Sequence, residues 1–307
     1  MRYLGALKSL CSVFWPRATR GALVLPAAFA LALGAACAAH AGAVDDGLAA
    51  LEEERFEDAL SHFNAGFESG EADAGFYLAR MAELGLGVSP DPEAARVLFL
   101  AAADAGSARA LNRVGLMHFR GEGVLQDFET ARALICEAAE AGDRDALFNC
   151  AGMLAEGFGL ADDEDPQEAS DQAFEHYRAA AEAGHIGAMN ALAYANLDGA
   201  IPDASLDAAT AHFEQAAALG NPVALFELGA LHEAGALGEI DLVTAHKHYN
   251  LAAARRHPDA GAALARVTDQ LSSEQLRAAQ RAARDWTPEN DASEGAADVS
   301  DEASTVE

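Results

Sequence analysis

Hydrophobic positions recur four residues apart within short segments, and the segments themselves recur along the chain. Stretches of the form A-A-x-x-G or its relatives close at Gly106, Gly142, Gly184 and Gly220, with Gly70 before them and Arg256 in register after them. The intervals are 36, 36, 42, 36 and 36 residues, and the long one holds six extra residues between Gly159 and Ala173, among them Asp162-Asp163-Glu164-Asp165. Four residues past each closing position stands Ala74, Ala110, Ala146, Ala188, Ala224 or Ala260, and four further stands Leu78, Val114, Cys150, Leu192, Leu228 or Leu264. Positions four apart share a helical face, so each interval opens with a helix. Gly85, Gly121, Gly157, Gly199 and Gly235, fifteen residues in, stop that helix because glycine accepts the left-handed conformation. A second helix follows. A small residue lies eleven before each closing position (Ala59, Ala95, Ala131, Ala173, Ala209, Ala245), and a large one four later (Phe63, Phe99, Ile135, Tyr177, Phe213, Tyr249), the pairing by which neighbouring helices interlock.

The ends break the rhythm. Residues 42–70 read as an imperfect leading unit that covers the stack. Leu271-Ser272-Ser273-Glu274-Gln275-Leu276 reads as a capping box with Ser272 as N-cap, opening a terminal helix that runs to Trp286 within a C-terminal cap of residues 257–286. Residues 287–307 hold seven acids, no base and no apolar periodicity, and are expected to be a disordered acidic tail. At the other end, Arg2, Lys8, Arg17 and Arg20 precede an uncharged Ala- and Leu-rich stretch from Gly21 to Ala39 and the small-residue triplet Ala39-His40-Ala41. That order reads as a signal peptide over residues 1–41. A retained anchor is the alternative, opposed by Pro26 and the many small residues.

Export changes the charge. Of 307 residues, 20 are basic and 49 acidic, and removal of residues 1–41 leaves 16 against 49, or −33. Such a chain is a poor binder of nucleic acid or of an anionic bilayer, and cleavage of the signal peptide near Ala41 makes the periplasm or the medium its expected location, without stable membrane insertion. With 51% apolar but only 7% aromatic residues, its core is built mainly from alanine- and leucine-sized side chains.

The segments Ala110-to-Gly123 and Ala131-to-Gly142 are the clearest fit to the pattern A-x-x-x-L-G-x-x-Y-x-x-G-x-G followed by A-x-x-x-(F/Y)-x-x-A-A-x-x-G. The chain resembles the Sel1-like repeat, a variant of the tetratricopeptide helix-turn-helix family. The resemblance covers about residues 55–286 and implies an all-α, right-handed α-solenoid with five repeats at 71–106, 107–142, 143–184, 185–220 and 221–256. The second loop glycine is replaced at Ile201 and Leu237, and the tyrosine of the first helix becomes His118, Leu154, Asn196 or His232.

Candidate chemistry is sparse. Export would leave Cys136 and Cys150, six residues before and eight after Gly142, at comparable heights on two antiparallel helices. A disulfide fits that spacing and an oxidising compartment, and some cysteine-rich members of the Sel1-like family bridge neighbouring repeats in a similar way. Alternatively, Cys150 simply replaces the buried Leu of other repeats. His176, His212 and His248 share one position in three successive second helices, spaced about 10 Å or more apart and so too widely for one metal ion. They are candidate pH sensors between pH 5 and 7, or structural histidines. The acidic insertion lacks EF-hand spacing, and no cofactor or metal motif is recognisable. Lys247 is the sole lysine after export and Thr244 stands three before it, so the S-x-x-K pattern of serine acyl enzymes is missing, and the hydrolase activity attributed to some relatives finds no support.

These features favour a non-enzymatic envelope protein that binds a protein or peptide on the concave face lined by first helices. Candidate contacts are Asn112, His118, Asn149, Asn190, Asn196, Glu227 and His232. By resemblance, the role is regulation of a sensor kinase or assembly of the envelope; a cell-wall or β-lactam hydrolase and a pH-responsive regulator are the rival readings.

Overall fold

The computed structural model describes residues 42–289. The expected signal peptide lies outside the described residues, as does the acidic tail from residue 290 onward. Among the described residues there are fourteen α-helices and no strand. A leading hairpin, α1 (Ala43–Glu52) and α2 (Phe56–Ser69), precedes five paired repeats. These are α3 (Ala72–Leu84) with α4 (Pro92–Asp104), α5 (Ala108–Arg120) with α6 (Phe128–Glu140), and α7 (Arg144–Ala155) with α8 (Pro166–Glu182). They continue with α9 (Ile186–Asp198) and α10 (Leu206–Ala218), then α11 (Pro222–Ala234) and α12 (Leu242–Ala254), before α13 (Ala260–Thr268) and α14 (Ser273–Arg284) end the stack. Up to α13 each helix packs chiefly on its sequence neighbours, while α14 packs on α12, so the molecule is the α-solenoid that the repeat pattern predicts.

The pairing of large with small residues sets the distance between helices. Phe63, Phe99, Ile135, Phe213 and Tyr249 are almost fully buried. Each comes from a second helix, and where its partner on the first helix is glycine the approach admits nothing larger. A Cβ on Gly115 would stand 2.5 Å from Ile135, and one on Gly229 would stand 2.8 Å from the Tyr249 ring. Burying each large side chain contributes about 1.5–3 kcal/mol, and no hairpin holds both halves of its core without a neighbour.

Helix boundaries follow from capping chemistry. Ser107, Asp143, Asn221 and Ser272 each accept an N–H of the first turn, and Ser272 forms the expected capping box with Gln275. Helices α3, α5, α9 and α11 stop at left-handed glycines, whereas α7 stops earlier, at Ala155. Four of the six inserted residues lengthen α8 to 17 residues against 13 in α6, and the acidic run is anchored. There Glu164 takes Arg132 of the preceding repeat at 2.8 Å, and Asp165 caps α8. The loop ahead of it sits so tightly on α6 that a Cβ on Gly159, at φ +72°, would lie 2.2 Å from the Phe128 carbonyl oxygen. Where the second loop glycine is lost, Asp203 and Gly238 take the positive φ instead.

Two features differ from expectation or resolve it. Cys136 and Cys150 form a disulfide joining α6 to α7, with their Cα atoms 5.0 Å apart, and Cys150 at the same time fills the buried leucine position. The expected disordered tail begins too early at residue 287. Trp286 packs on the apolar cluster of repeats four and five, and the Glu289 N–H donates to the Ala218 carbonyl at 2.8 Å, so order continues through Glu289.

Backbone and crosslink yield stability predictions. Arg256 occupies the left-handed position that closing glycines fill elsewhere, at φ +65°, so Arg256→Gly should stabilise by about 1 kcal/mol. Gly159→Ala should destabilise by about 2 kcal/mol or more, through strain and overlap with Phe128. Replacing Cys136 and Cys150 by alanine should cost about 3 kcal/mol for a closed loop of this size. Urea unfolding monitored by far-UV circular dichroism checks all three.

Candidate functional site

First helices form one continuous face. Apart from α12 with α14, the non-consecutive helices that approach most are first helices: α1 with α3, α3 with α5, and α5 with α7. Polar rungs cross this face at four boundaries: between repeats one and two, two and three, four and five, and between repeat five and the C-terminal cap. The Ser107 hydroxyl donates to Asp73 at 2.6 Å, and Arg109 lies 3.9 Å from the same carboxylate. Arg113 reaches back to Glu83 at 2.6 Å and forward to Glu122 at 2.8 Å. The Asn149 amide donates to Asn112 Oδ1 at 3.1 Å, and the Asn190 amide donates to Asn221 Oδ1 at 3.2 Å. Tyr194 donates to Glu227 at 2.9 Å, and Arg266 holds Glu233 with two bonds of 2.8 and 2.7 Å. Burial opposes ionisation of Glu83, but Arg113 and Arg80 outweigh it and hold the carboxyl below its ordinary range. Burial and the neighbouring Glu227 push the Tyr194 phenol upward.

The rungs change the standing of several expected contacts. Asn112 and Asn149 are buried against each other rather than presented to a partner, which corrects their assignment as contact residues. Asn196 is likewise buried: its amide donates to the Leu192 carbonyl and its Oδ1 accepts from the Ser205 N–H, fixing the loop before α10. His118, Asn190, Glu227 and His232 are half-buried on first helices. Arg109 and Tyr194 were not anticipated and are both exposed on the face. A signal for such rungs exists in the sequence. Glu83 and Arg113 are 30 residues apart, and Glu233 and Arg266 are 33, a little less than one repeat in each case.

A cleft of about 470 Å³ opens between the first two repeats, lined by Glu83, Asp91, Arg96, Phe99, Arg113 and Glu122 among others. Arg113 lies over the Phe99 ring at 5.6 Å, and Arg96 pairs with Glu93. Its charges are therefore largely satisfied internally. Among the described residues, no group of three or more His, Cys, Asp or Glu side chains is arranged to hold a metal ion. None of the described helices is long and apolar enough to cross a membrane.

Histidines are governed by burial. His248 stacks on His232 of the adjoining first helix, with ring centroids 5.7 Å apart and planes 6° from parallel. Burial pushes its pKa down to about 4, assisted by Lys247 and His232 and opposed by Asp241. His176 is lowered by burial against the pull of Glu140 and Glu175, and the Nδ1 of His212 is enclosed without a hydrogen-bond partner. At His248 the charging expected between pH 5 and 7 is thus displaced towards pH 4, because the site cannot solvate an imidazolium. His185 behaves similarly, with burial lowering its pKa to about 4 despite Asp145; its Nδ1 accepts the Ala188 N–H and its ring stacks on Phe148 at 4.3 Å.

The sign of the pH effect follows. A histidine with a folded pKa near 4 and an unfolded value of 6.5 contributes its full stability above pH 6.5 and loses it as pH falls towards 4. For His248 that loss is about 3 kcal/mol. His248→Leu, the residue found at the equivalent Leu134, should flatten this part of the profile; denaturant midpoints for both proteins from pH 7.5 to 4 measure the difference.

Comparison with known proteins agrees with this geometry. The Sel1 repeat model matches residues 72–107, 108–143, 144–185, 186–221 and 222–257, more than half of the chain and one residue later than the boundaries expected from the glycines. A Sel1 repeat protein from Oxalobacter formigenes is 25% identical with a TM-score of 0.63, over 78% of this chain and 98% of that one. A protective antigen present in uropathogenic Escherichia coli strains and displaying an SLR fold is 23% identical with a TM-score of 0.58. That match covers 81% of this chain but 50% of the antigen, so the chain spans half its length and the likeness concerns the fold alone. No curated protein matches. Five matched repeats in unbroken succession, on the helix pairs seen in the structure, mean that the chain belongs to the Sel1 repeat family.

Proposed function

We propose that this protein is a non-catalytic interaction scaffold or regulator of the cell envelope, periplasmic after removal of residues 1–41, which binds a protein or peptide segment across its first helices. Sel1 repeats are generally protein-interaction modules. One observation carries the assignment. Helices α3, α5, α7, α9, α11 and α13 together hold six basic and six acidic residues, whereas the rest of the chain after residue 41 holds 10 and 43. The first helices from α3 onward are thus charge-balanced within a strongly anionic molecule, and rungs fix their side chains in place. Repulsion disfavours anionic proteins over much of the remaining surface, α14 with three arginines against one glutamate excepted, and preorganised polar groups lower the entropy lost on binding at this face.

The contacts assigned to a partner are Arg109, Asn190, Tyr194, Glu227 and His232, with His118 at the edge of repeat two. Exposed Arg109 and Tyr194 are the residue types that dominate interface energetics. Arg109→Ala with Tyr194→Ala should leave the thermal midpoint within a few degrees while weakening capture of the crosslinked envelope partner at least ~10-fold, as for loss of hot-spot side chains. Lys247→Ala on a second helix is the control. Equal loss from the control, or undiminished capture by the double variant, would remove the inner face from the account. Intact mass of the exported protein tests location separately, with a chain beginning at Gly42 as the expected result.

A further inference from the structure

After α14 the chain turns back onto the stack. This terminal helix packs along α12 and ends at Asp285. Trp286 then lies against the apolar cluster containing Phe213, Leu225 and Leu251, with the Arg255 guanidinium 4.5 Å from its ring centroid. The Glu289 N–H donates to the carbonyl of Ala218, the last residue of α10, one of the acceptors that a helix terminus leaves unpaired. Between them Pro288 covers the turn at Gly220, where an added Cβ would meet Pro288 at 3.7 Å and Arg255 at 3.2 Å.

Internal repetition gives this contact its meaning. The equivalent turns at Gly70, Gly106, Gly142 and Gly184 have nothing within 4 Å of such an atom. Four boundaries therefore pack without a cover, and covering the fifth is not a condition of the fold. The forces on Trp286–Glu289 are those that hold a short peptide ligand: an aromatic anchor beside a cation, a proline already restricted in φ, and a main-chain hydrogen bond.

We propose that the groove formed by Ala218, Gly220 and Arg255 is a docking site for an extended aromatic-x-Pro segment of a partner protein, with Trp286–Glu289 as its built-in competitor. The site lies at the ends of second helices α10 and α12, and it goes beyond the inner-face reading because it belongs to a different surface. Its ligand chemistry is visible in the molecule: an indole-sized ring for Arg255 to cover, a proline two residues on, and a free N–H in the following residue for Ala218.

The test uses the full chain and a fluorescein-labelled peptide of the sequence Arg-Asp-Trp-Thr-Pro-Glu. Wild type, whose groove is occupied, should bind it at least ~10-fold more weakly than Trp286→Ala, because only the strap-free fraction is competent. Adding Arg255→Ala to Trp286→Ala should weaken binding roughly 3-fold or more, and a peptide with alanine for tryptophan should not bind. Equal affinity for wild type and Trp286→Ala, or equal binding of the alanine peptide, overturns the proposal. Hydrogen exchange on the wild type is the second arm and needs no variant to fold. The Glu289 amide should exchange at least ~100-fold faster than the interior amides of α10 and α12, as expected for a local opening. Exchange in the same event as those helices would make the strap an integral cap and defeat the groove. Strap-mediated dimerisation of the wild type in sedimentation would name a second copy as occupant and overturn the assignment to a partner.

Discussion

The closeness with which a second helix approaches a first is the constraint on which the stack depends. Ile135 over Gly115 and Tyr249 over Gly229 leave no room for even a methyl group at the contact. Such an approach brings two backbones together along a line of alanines, so dispersion contacts are gained along the whole hairpin and not at one point. It also leaves the other flank of each helix pair apolar. Ala138, Ala180 and Ala216, fully buried, become core only through neighbouring repeats. The stack thus behaves as a chain of nearest-neighbour interfaces, and a strong crosslink at one boundary restrains both sides of it. Cys136–Cys150 occupies the boundary between the second and third repeats, just before the insertion that breaks the 36-residue interval.

Rungs along the first helices serve a second need. A small-residue stripe gives close packing but little discrimination between one register and another, since alanine resembles alanine. Directional pairs supply that discrimination: Glu83 with Arg113, Asn112 with Asn149, and Tyr194 with Glu227 each match one repeat only to its proper neighbour. Their chemistry changes along the stack, from arginine–carboxylate pairs at one end through amides in the middle to a phenol–carboxylate pair and a final arginine. Because a charged or amide group left unpaired in a buried site is costly, a slipped register would lose several such bonds at once.

Legibility in the sequence follows the same division. Offsets from the closing glycines locate helices, caps and buried rings because those properties are decided within one hairpin, where a period of 3.6 residues assigns faces. Asn112 and Asn149 show where that reasoning stops. Each sits on a plausible polar edge of its own helix, and only the position of the next helix turns that edge into an interior. Their partnership spans 37 residues, so it is invisible to any window shorter than a repeat. His248 illustrates a related point: its place in a column of histidines is plain, but its environment is set by burial, by Lys247 and the N-cap Asp241 of its own helix, and by His232 on the adjoining first helix. The strap beyond Trp286 escaped for another reason. Thr287, Pro288 and Glu289 form no periodic element, and they are ordered by single contacts to parts of the chain 30 or more residues away.

Charge distribution connects architecture to partner choice. In a solenoid the first helices crowd together on the inside, where like charges would lie close and be poorly screened by solvent. The acidic excess sits on second helices, loops and the leading hairpin, whereas α14 carries three arginines against one glutamate. Balanced charge on the first helices is therefore a condition of stacking before it is a property of binding. The consequence for recognition is that the field seen by an approaching protein is negative from most directions and weak along one face. On the proposed inner-face reading, such a scaffold would separate attraction at a distance, set by the acidic exterior, from selection at contact, set by the ordered pairs around Arg109, Tyr194 and Glu227.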